Sequence, residues 1–250
     1  MSFLGLIIIG LVAGALLAST GIIGLFLVPA LILLGLPSDF ARGTTLVSEL
    51  LMTLVSVVGH GRRRNLDKRI IAAYLPGAFA VIFGANMSFK YPEPLMRLLV
   101  GIFEIVIGLL IILFFLKSNE KAKVEPARDI TPSTMIKLMI VALLAGFTKG
   151  FFGAGWGPIG IGLFILFGIT PHIVVGSSLV IRLLLDIAGG ATYAFVGLVD
   201  YNAVVLLTLA GCVSALFAIK ITRMISERKM RIFIGSVITL LGILVVLESF

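Results

Sequence analysis

Apolar residues in this chain come in long runs. The stretches 3–36, 44–60, 70–88, 95–116, 135–169, 173–196, 202–221 and 232–248 are almost entirely hydrophobic, and most charged residues fall between them. A run of roughly 20 apolar residues crosses about 30 Å of hydrocarbon as a helix. The alternating polar and apolar pattern of a membrane barrel is missing, so the backbone can satisfy itself in lipid only as helices. The pattern predicts an all-α polytopic membrane protein. No basic stretch precedes the first run and no small-residue cleavage site follows it, so that run is expected to be a retained membrane segment rather than a signal peptide.

The runs repeat. Gly43-Thr44-Thr45-Leu46 returns as Gly176-Ser177-Ser178-Leu179, and the same offset of 133 carries Leu66-Asp67 to Val199-Asp200. With one residue of slip, Met96-Arg97 matches Met230-Arg231, Gly101 matches Gly235 and Gly108 matches Gly242. This divides the chain into a first membrane repeat at 1–116, a cytoplasmic linker at 117–134 and a second membrane repeat at 135–250. The linker carries charges of both signs and two prolines, the composition of a solvated connection.

Each half opens on a run that is too long for one untilted crossing and too short for two, at 1.5 Å per residue. Its middle is interrupted by Ser19-Thr20-Gly21-Ile22-Ile23-Gly24 in one half, and by Gly150 through Pro158 in the other. Glycine and proline break helices, so each opening run is expected to be broken, either as a re-entrant hairpin or as two short spans. Three ordinary spans follow it. A packing role for the same glycines is the competing account.

Basic loops lie on the cytoplasmic side. Arg62, Arg63, Arg64, Lys68 and Arg69 place the middle loop of the first half there, whereas its counterpart around 195–201 carries Asp200 and no basic residue. Sparse Lys90 and Arg97 stand against Lys220, Arg223, Arg228, Lys229 and Arg231 at the next pair of loops. Equivalent loops thus face opposite sides. The predicted fold is two inverted-topology repeats, each a broken or re-entrant helical element followed by three transmembrane helices, an arrangement found in secondary transporters with a midplane site.

Composition then narrows the function. Sixty per cent of residues are hydrophobic and 13% charged, and the mean hydropathy is +1.20. The net charge of +8 comes from loop residues that set orientation, so no nucleic-acid partner is expected. A single cysteine, Cys212, excludes an internal disulfide, and two histidines at span ends supply no metal cluster. No metal or other cofactor is expected, and the chain contains no P-loop, HExxH or GxSxG sequence. The expected partners are the lipid bilayer and a small anionic substrate, and a homodimer is compatible with the sequence.

Charges inside spans mark pathways or partners. Lys149 lies at the second break, Arg182 and Asp186 share a helix, Glu49 occupies the repeat position of Arg182, and Glu104 lies mid-span. Lys149 and Arg182, with helix N-termini opened at the two breaks, would make a pocket for an oxyanion. The substrate-binding set is Ser19, Thr20, Gly21, Thr44, Thr45, Lys149, Gly153, Gly155, Trp156, Ser177, Ser178 and Arg182. Glu49 and Asp186 are the charge-pairing or proton-coupling residues, Glu49 either neutralising Arg182 across the axis between the halves while the site is empty or taking up a proton. The plainer accounts are an intrahelical Arg182–Asp186 pair, N-capping by the hydroxyls, and structural packing of Trp156. A passive anion channel is the rival function, and an intramembrane enzyme a weaker one.

The glycine-rich break with its proline, then "LGLP", "GTTL" and "RRRNLD" through Asp67, and "GFTKGFFGAGWGP", "FGITP", "GSSL" and "GLVD" through Asp200, resemble the sulfite exporter TauE/SafE family. The resemblance spans nearly the whole chain. It implies a transporter, by family name an exporter, of sulfur-containing anions such as sulfite or organosulfonates in the prokaryotic cytoplasmic membrane. The run 19–24 is poorer in glycine than the family's usual motif. Glu49, Arg182 and Asp186 stand where that pattern is mostly apolar or small.

Overall fold

The computed structural model describes residues 2–61, 67–117, 131–163, 171–221 and 227–250. Its elements are α1 (Phe3–Thr20), α2 (Gly24–Leu33), α3 (Ser38–Gly61), α4 (Lys68–Ser88), α5 (Glu93–Lys117), α6 (Pro132–Phe152), a π-helical turn (Trp156–Ile161), α7 (Pro171–Phe195), α8 (Tyr201–Ile221) and α9 (Glu227–Leu247). Every regular element among the described residues is helical. Five stretches, Lys68–Ser88, Glu93–Phe114, Pro132–Phe152, Gly176–Phe195 and Met230–Leu247, are long and apolar enough to cross a bilayer. Arg62, Arg63, Arg64, Lys121, Lys123, Arg128 and Arg223, on which much of the expected orientation rests, lie outside the described residues.

Polarity is distributed as a lipid solvent requires. Phe79, Phe83, Leu209 and Phe217 are exposed on the outer faces, whereas Arg42, Glu49, Glu104, Lys149, Arg182 and Asp186 are all at most 3% exposed. In water that arrangement would place charges in the core and grease on the surface. In a membrane the outer faces meet acyl chains, and each of these buried groups except Glu104 meets an opposite charge.

Both opening runs are broken at a glycine. Gly21 ends α1 at φ 70°, its N–H bonded to Leu17 O, and Gly153 ends α6 at φ 72°. A Cβ is strained in that left-handed region, so glycine is the residue that can stop the helix there. The first run then folds back: a Cβ on Gly5, near the start of α1, would sit 3.4 Å from the Leu34 side chain just past the end of α2. Of the two forms left open by the sequence, the first half takes the re-entrant hairpin, with a full-length arm and a half-length arm. Its tip meets the tip of the other run, since a Cβ on Gly24 would lie 2.7 Å from Gly153 O and one on Gly157 would lie 3.1 Å from Gly21 O.

Two helix boundaries differ from the apolar runs. Helix α3 begins at Ser38 rather than 44, because the polar start of the helix is held by Glu93, which accepts from Ser38 N–H at 2.8 Å and from its hydroxyl. Helix α6 begins inside the stretch read as linker, where Thr131 accepts from Thr134 N–H and Pro132 takes the first turn.

The halves interlock through contacts that exchange under the sequence repeat. A Cβ on Gly14 of α1 would meet Gly211 O of α8 at 2.0 Å, and one on Gly146 of α6 would meet Gly77 O of α4 at 2.2 Å. Gly101 faces Gly242 while Gly108 faces Gly235, so α5 and α9 run antiparallel along one glycine seam. Asp67 N–H donates to Ser177 Oγ at 2.9 Å, and Asp200 N–H donates to Thr44 Oγ1 at 3.0 Å, one bond being the repeat image of the other.

Candidate functional site

The tips of the two broken runs meet beside α3 and α7, and four ionisable side chains converge there. Glu49 comes from α3, Lys149 from the last turn of α6, and Arg182 and Asp186 from successive turns of α7. Lys149 Nζ lies 2.7 Å from Glu49 Oε2 and 2.8 Å from Asp186 Oδ1, and Arg182 Nη2 lies 3.2 Å from the same Glu49 oxygen. Arg182 also donates through Nη1 to Gly21 O at the first break, and Thr53 donates to Asp186 Oδ2 at 3.0 Å. The cluster holds two cations and two carboxylates, so its formal charge is zero when all four are ionised. Glu49 is shared between Lys149 and Arg182. No Arg182–Asp186 ion pair is present among the described residues.

Glu49 and Arg182 are 133 residues apart, as are Thr53 and Asp186. That is the repeat offset, so each of these residues contacts its own repeat image. Lys149 has no charged image, since the same offset places Leu16 of α1 at the equivalent position.

Beside the cluster is a cavity of ≈ 10 Å³, room for about one water. It is lined by Lys149, Arg182 and Trp156 and by the backbone of both breaks. Helix α2 starts there with Ile23 as its N-cap, which offers no side-chain hydrogen bond, leaving the positive end of the helix without a side-chain cap. Arg182 Nε, Glu49 Oε1 and Trp156 Nε1 are buried with no hydrogen-bond partner among the described residues. Trp156 packs on Tyr74, ring centroids 4.9 Å apart, which fixes its plane as one wall.

The remaining candidates are distributed differently. Thr20 closes the first break on itself, donating to Leu16 O and accepting from Ile22 N–H. Thr44 and Ser177 hold the capping loops of the opposite half, away from the cavity. Thr45 and Ser178 are buried and do not line it. Gly21 supplies its carbonyl to Arg182, Gly153 presses against α2, and Gly155 lines the cavity at φ 109°. The side chain of Ser19 lies outside the described residues.

Two participants were not legible beforehand. Thr53 orients Asp186, and its only sequence signal is the repeat offset. Arg42 is wholly buried, donates to Phe151 O at 2.7 Å and Ser38 O at 3.1 Å, pairs with Asp39, and lies 5.7 Å from the Tyr193 ring centre. It ties α3 to the carbonyl end of α6, where a cation complements the helix dipole. Its i,i+3 spacing from Asp39 was the available hint.

The chain as a whole has counterparts among known proteins. A family model described as Sulfite exporter TauE/SafE matches residues 6–245. The chain belongs to the TauE/SafE family. Among similar proteins, "Probable membrane transporter protein YdhB" of Bacillus subtilis (strain 168) is 30% identical over 230 residues, covering 89% of this chain and 91% of that one. "Probable membrane transporter protein YjnA" of the same organism is 25% identical over 247 residues, 95% of this chain and 97% of that one. "Probable membrane transporter protein MJ0441" of Methanocaldococcus jannaschii is 24% identical over 262 residues, 97% and 94% of the two chains. No solved structure gives a significant match. This TauE/SafE chain is therefore a multi-pass membrane transporter and not an enzyme.

Proposed function

We propose that the protein is a secondary transporter of a small sulfur-containing anion, sulfite or an organosulfonate, in a prokaryotic cytoplasmic membrane, and that its halves are inverted repeats that rock about the hairpin crossing. The observation that carries this reading is the buried, charge-neutral cluster of Glu49, Lys149, Arg182 and Asp186 where the two breaks meet. Reciprocal contacts such as Asp67–Ser177 and Asp200–Thr44 support the inverted arrangement.

The cluster suggests how an anion binds. Breaking a buried ion pair by removing one partner costs about 3–5 kcal/mol, because the other charge is left uncompensated in a poor dielectric. Glu49 therefore leaves Lys149 and Arg182 readily only when another anion takes its place. An oxyanion offers several acceptor oxygens to Lys149 Nζ, the Arg182 fork, Trp156 Nε1 and the start of α2, more donors than one Glu49 oxygen satisfies. Exchange of one anion for another at the same cations keeps the site near neutrality throughout. A cavity with room for about one water favours a carrier over an open pore.

A thermal-shift series on detergent-purified protein tests this, with sulfite, sulfate, thiosulfate, sulfoacetate, taurine and acetate as ligands, since a ligand bound only by the folded state raises Tm. A sulfur oxyanion or sulfonate is expected to raise the Tm of the wild type and not that of Arg182→Met. The double variant Glu49→Gln/Arg182→Met removes both members of one pair and serves as the folded control. If no anion raises Tm, or if Arg182→Met is stabilised as well as the wild type, the anion site is not here.

A further inference from the structure

Glu104 stands at the twelfth position of the 25-residue helix α5, half-way along, and is fully buried with neither carboxylate oxygen hydrogen-bonded among the described residues. It lies inside the glycine seam with α9: a Cβ on Gly242 would come within 2.9 Å of its own Cβ. The sequence repeat supplies an internal control. Gly101, Glu104 and Gly108 on α5 correspond to Gly235, Ile238 and Gly242 on α9, and Ile238 is equally buried. One side of the same seam is filled by an isoleucine, so packing does not call for a carboxyl group on the other.

Nor does a neighbouring charge call for one. Helix α2, packed against α5, has no ionisable residue. On α3, Asp39 is paired with Arg42, and Glu49 with Lys149 and Arg182. On α5 itself Arg97 is held by Glu93 and reaches Glu248 beyond the end of α9, whereas Arg231 is about three turns along α9 from Gly242. A carboxylate without a partner in such surroundings is neutral, because the charged form loses its hydration with nothing in return.

We propose that Glu104 is the proton-binding site of the carrier, separate from the ion cluster, and that the α5–α9 seam is its gate. The proposal rests on the alternating-access reading above. Helices α5 and α9 belong to opposite halves, so any rocking of one half against the other shears the seam between them. A seam opened to water on one side lets the O–H bond break and the proton leave. When it opens to the other side, a proton from that water forms the bond again, and no other group is consumed. Closure on the charged form is disfavoured, which is the condition for coupling proton movement to the conformational cycle.

Two readouts on protein in liposomes test the proposal. Infrared difference spectroscopy at neutral pH is expected to show the C=O band of a buried protonated carboxyl that disappears in Glu104→Gln and in Glu104→Ile, the side chain of the other half. With radiolabelled sulfite as the probe, an imposed pH gradient is expected to drive at least tenfold less net accumulation in both variants, while sulfite-for-sulfite exchange without a gradient stays within twofold of the wild type. A missing band in the wild type, or gradient-driven accumulation unaltered in the variants, overturns the proposal. Wild-type exchange that ignores the pH gradient also overturns it while leaving the carrier reading intact. Absence of any sulfite exchange in the wild type counts against the carrier reading for sulfite instead, and the infrared band still decides whether Glu104 holds a proton.

Discussion

Glu49 is the residue on which the site turns, because one of its oxygens is shared by both buried cations. Replacing it with Gln keeps the shape and removes the charge, leaving Asp186 alone against Lys149 and Arg182. The loss of compensation is expected to cost about 3 kcal/mol or more. An anion should restore part of it, so Glu49→Gln should melt below the wild type without ligand and show a larger sulfite-induced rise in Tm. Calorimetry with and without sulfite measures both, and a variant as stable as the wild type would mean that the cluster is not fully ionised. Sequence alone marked Glu49, Lys149, Arg182 and Asp186 because charges in apolar runs are costly wherever they stand. The repeat offset also offered Glu49 as a partner for Arg182, but not that Lys149, 100 residues from Glu49, shares the same oxygen, which follows only from the crossing of the two runs. Thr44 and Ser177 illustrate the same limit. A hydroxyl near the start of a helix reads equally as cap or ligand, and only the fold shows it accepting from the opposite half.

Among the elements, close approach of backbones does the work that the hydrophobic effect does in water, because lipid offers no advantage to burying one apolar side chain over another. The α4–α6 and α1–α8 seams are the clearest cases. Gly146→Ala would put a methyl group 2.2 Å from Gly77 O and force the helices apart, at an expected cost of about 1–3 kcal/mol. Gly162→Ala meets nothing within 4 Å among the described residues, in a helical conformation, and is expected to be neutral or slightly stabilising. Denaturation midpoints of the two variants in the same detergent compare them directly; equal midpoints would refute a seam held by backbone contact. The helix breaks at Gly21 and Gly153 were legible, since glycine clusters inside an over-long apolar run leave few other conformations. The π-helical turn at Trp156–Ile161 was not, because Gly157 and Pro158 disrupt a helix in the sequence without saying into what it relaxes.

For the molecule as a whole, the repeat in the sequence becomes a set of exchanged contacts, and this is where an inverted topology can be tested. Helix α1 runs parallel to α8, with Gly10 beside Leu207 and Gly14 beside Gly211, while α6 runs parallel to α4, with Gly146 beside Gly77 and Gly150 beside Val81. One hairpin then descends beside the second half and the other ascends beside the first. Thr44 near the start of α3 and Asp67 beyond its end are separated by the length of that helix, so two copies in the same orientation, with equivalent residues at one depth, could not bring Asp67 to Ser177 and Asp200 to Thr44. On the proposed inverted topology Asp67 and Asp200 lie on opposite faces, and the basic residues near Asp67 in the sequence are expected to place its face in the cytoplasm. In a Cys212→Ala background, a membrane-impermeant maleimide added to intact cells is expected to label Tyr201→Cys, a well-exposed position beside Asp200, and to leave Lys68→Cys unlabelled until the membrane is permeabilised. Labelling of both from outside would put the two loops on one face. The Glu49–Arg182 pair would then lose its place on an axis between the halves, and the rocking mechanism would go with it.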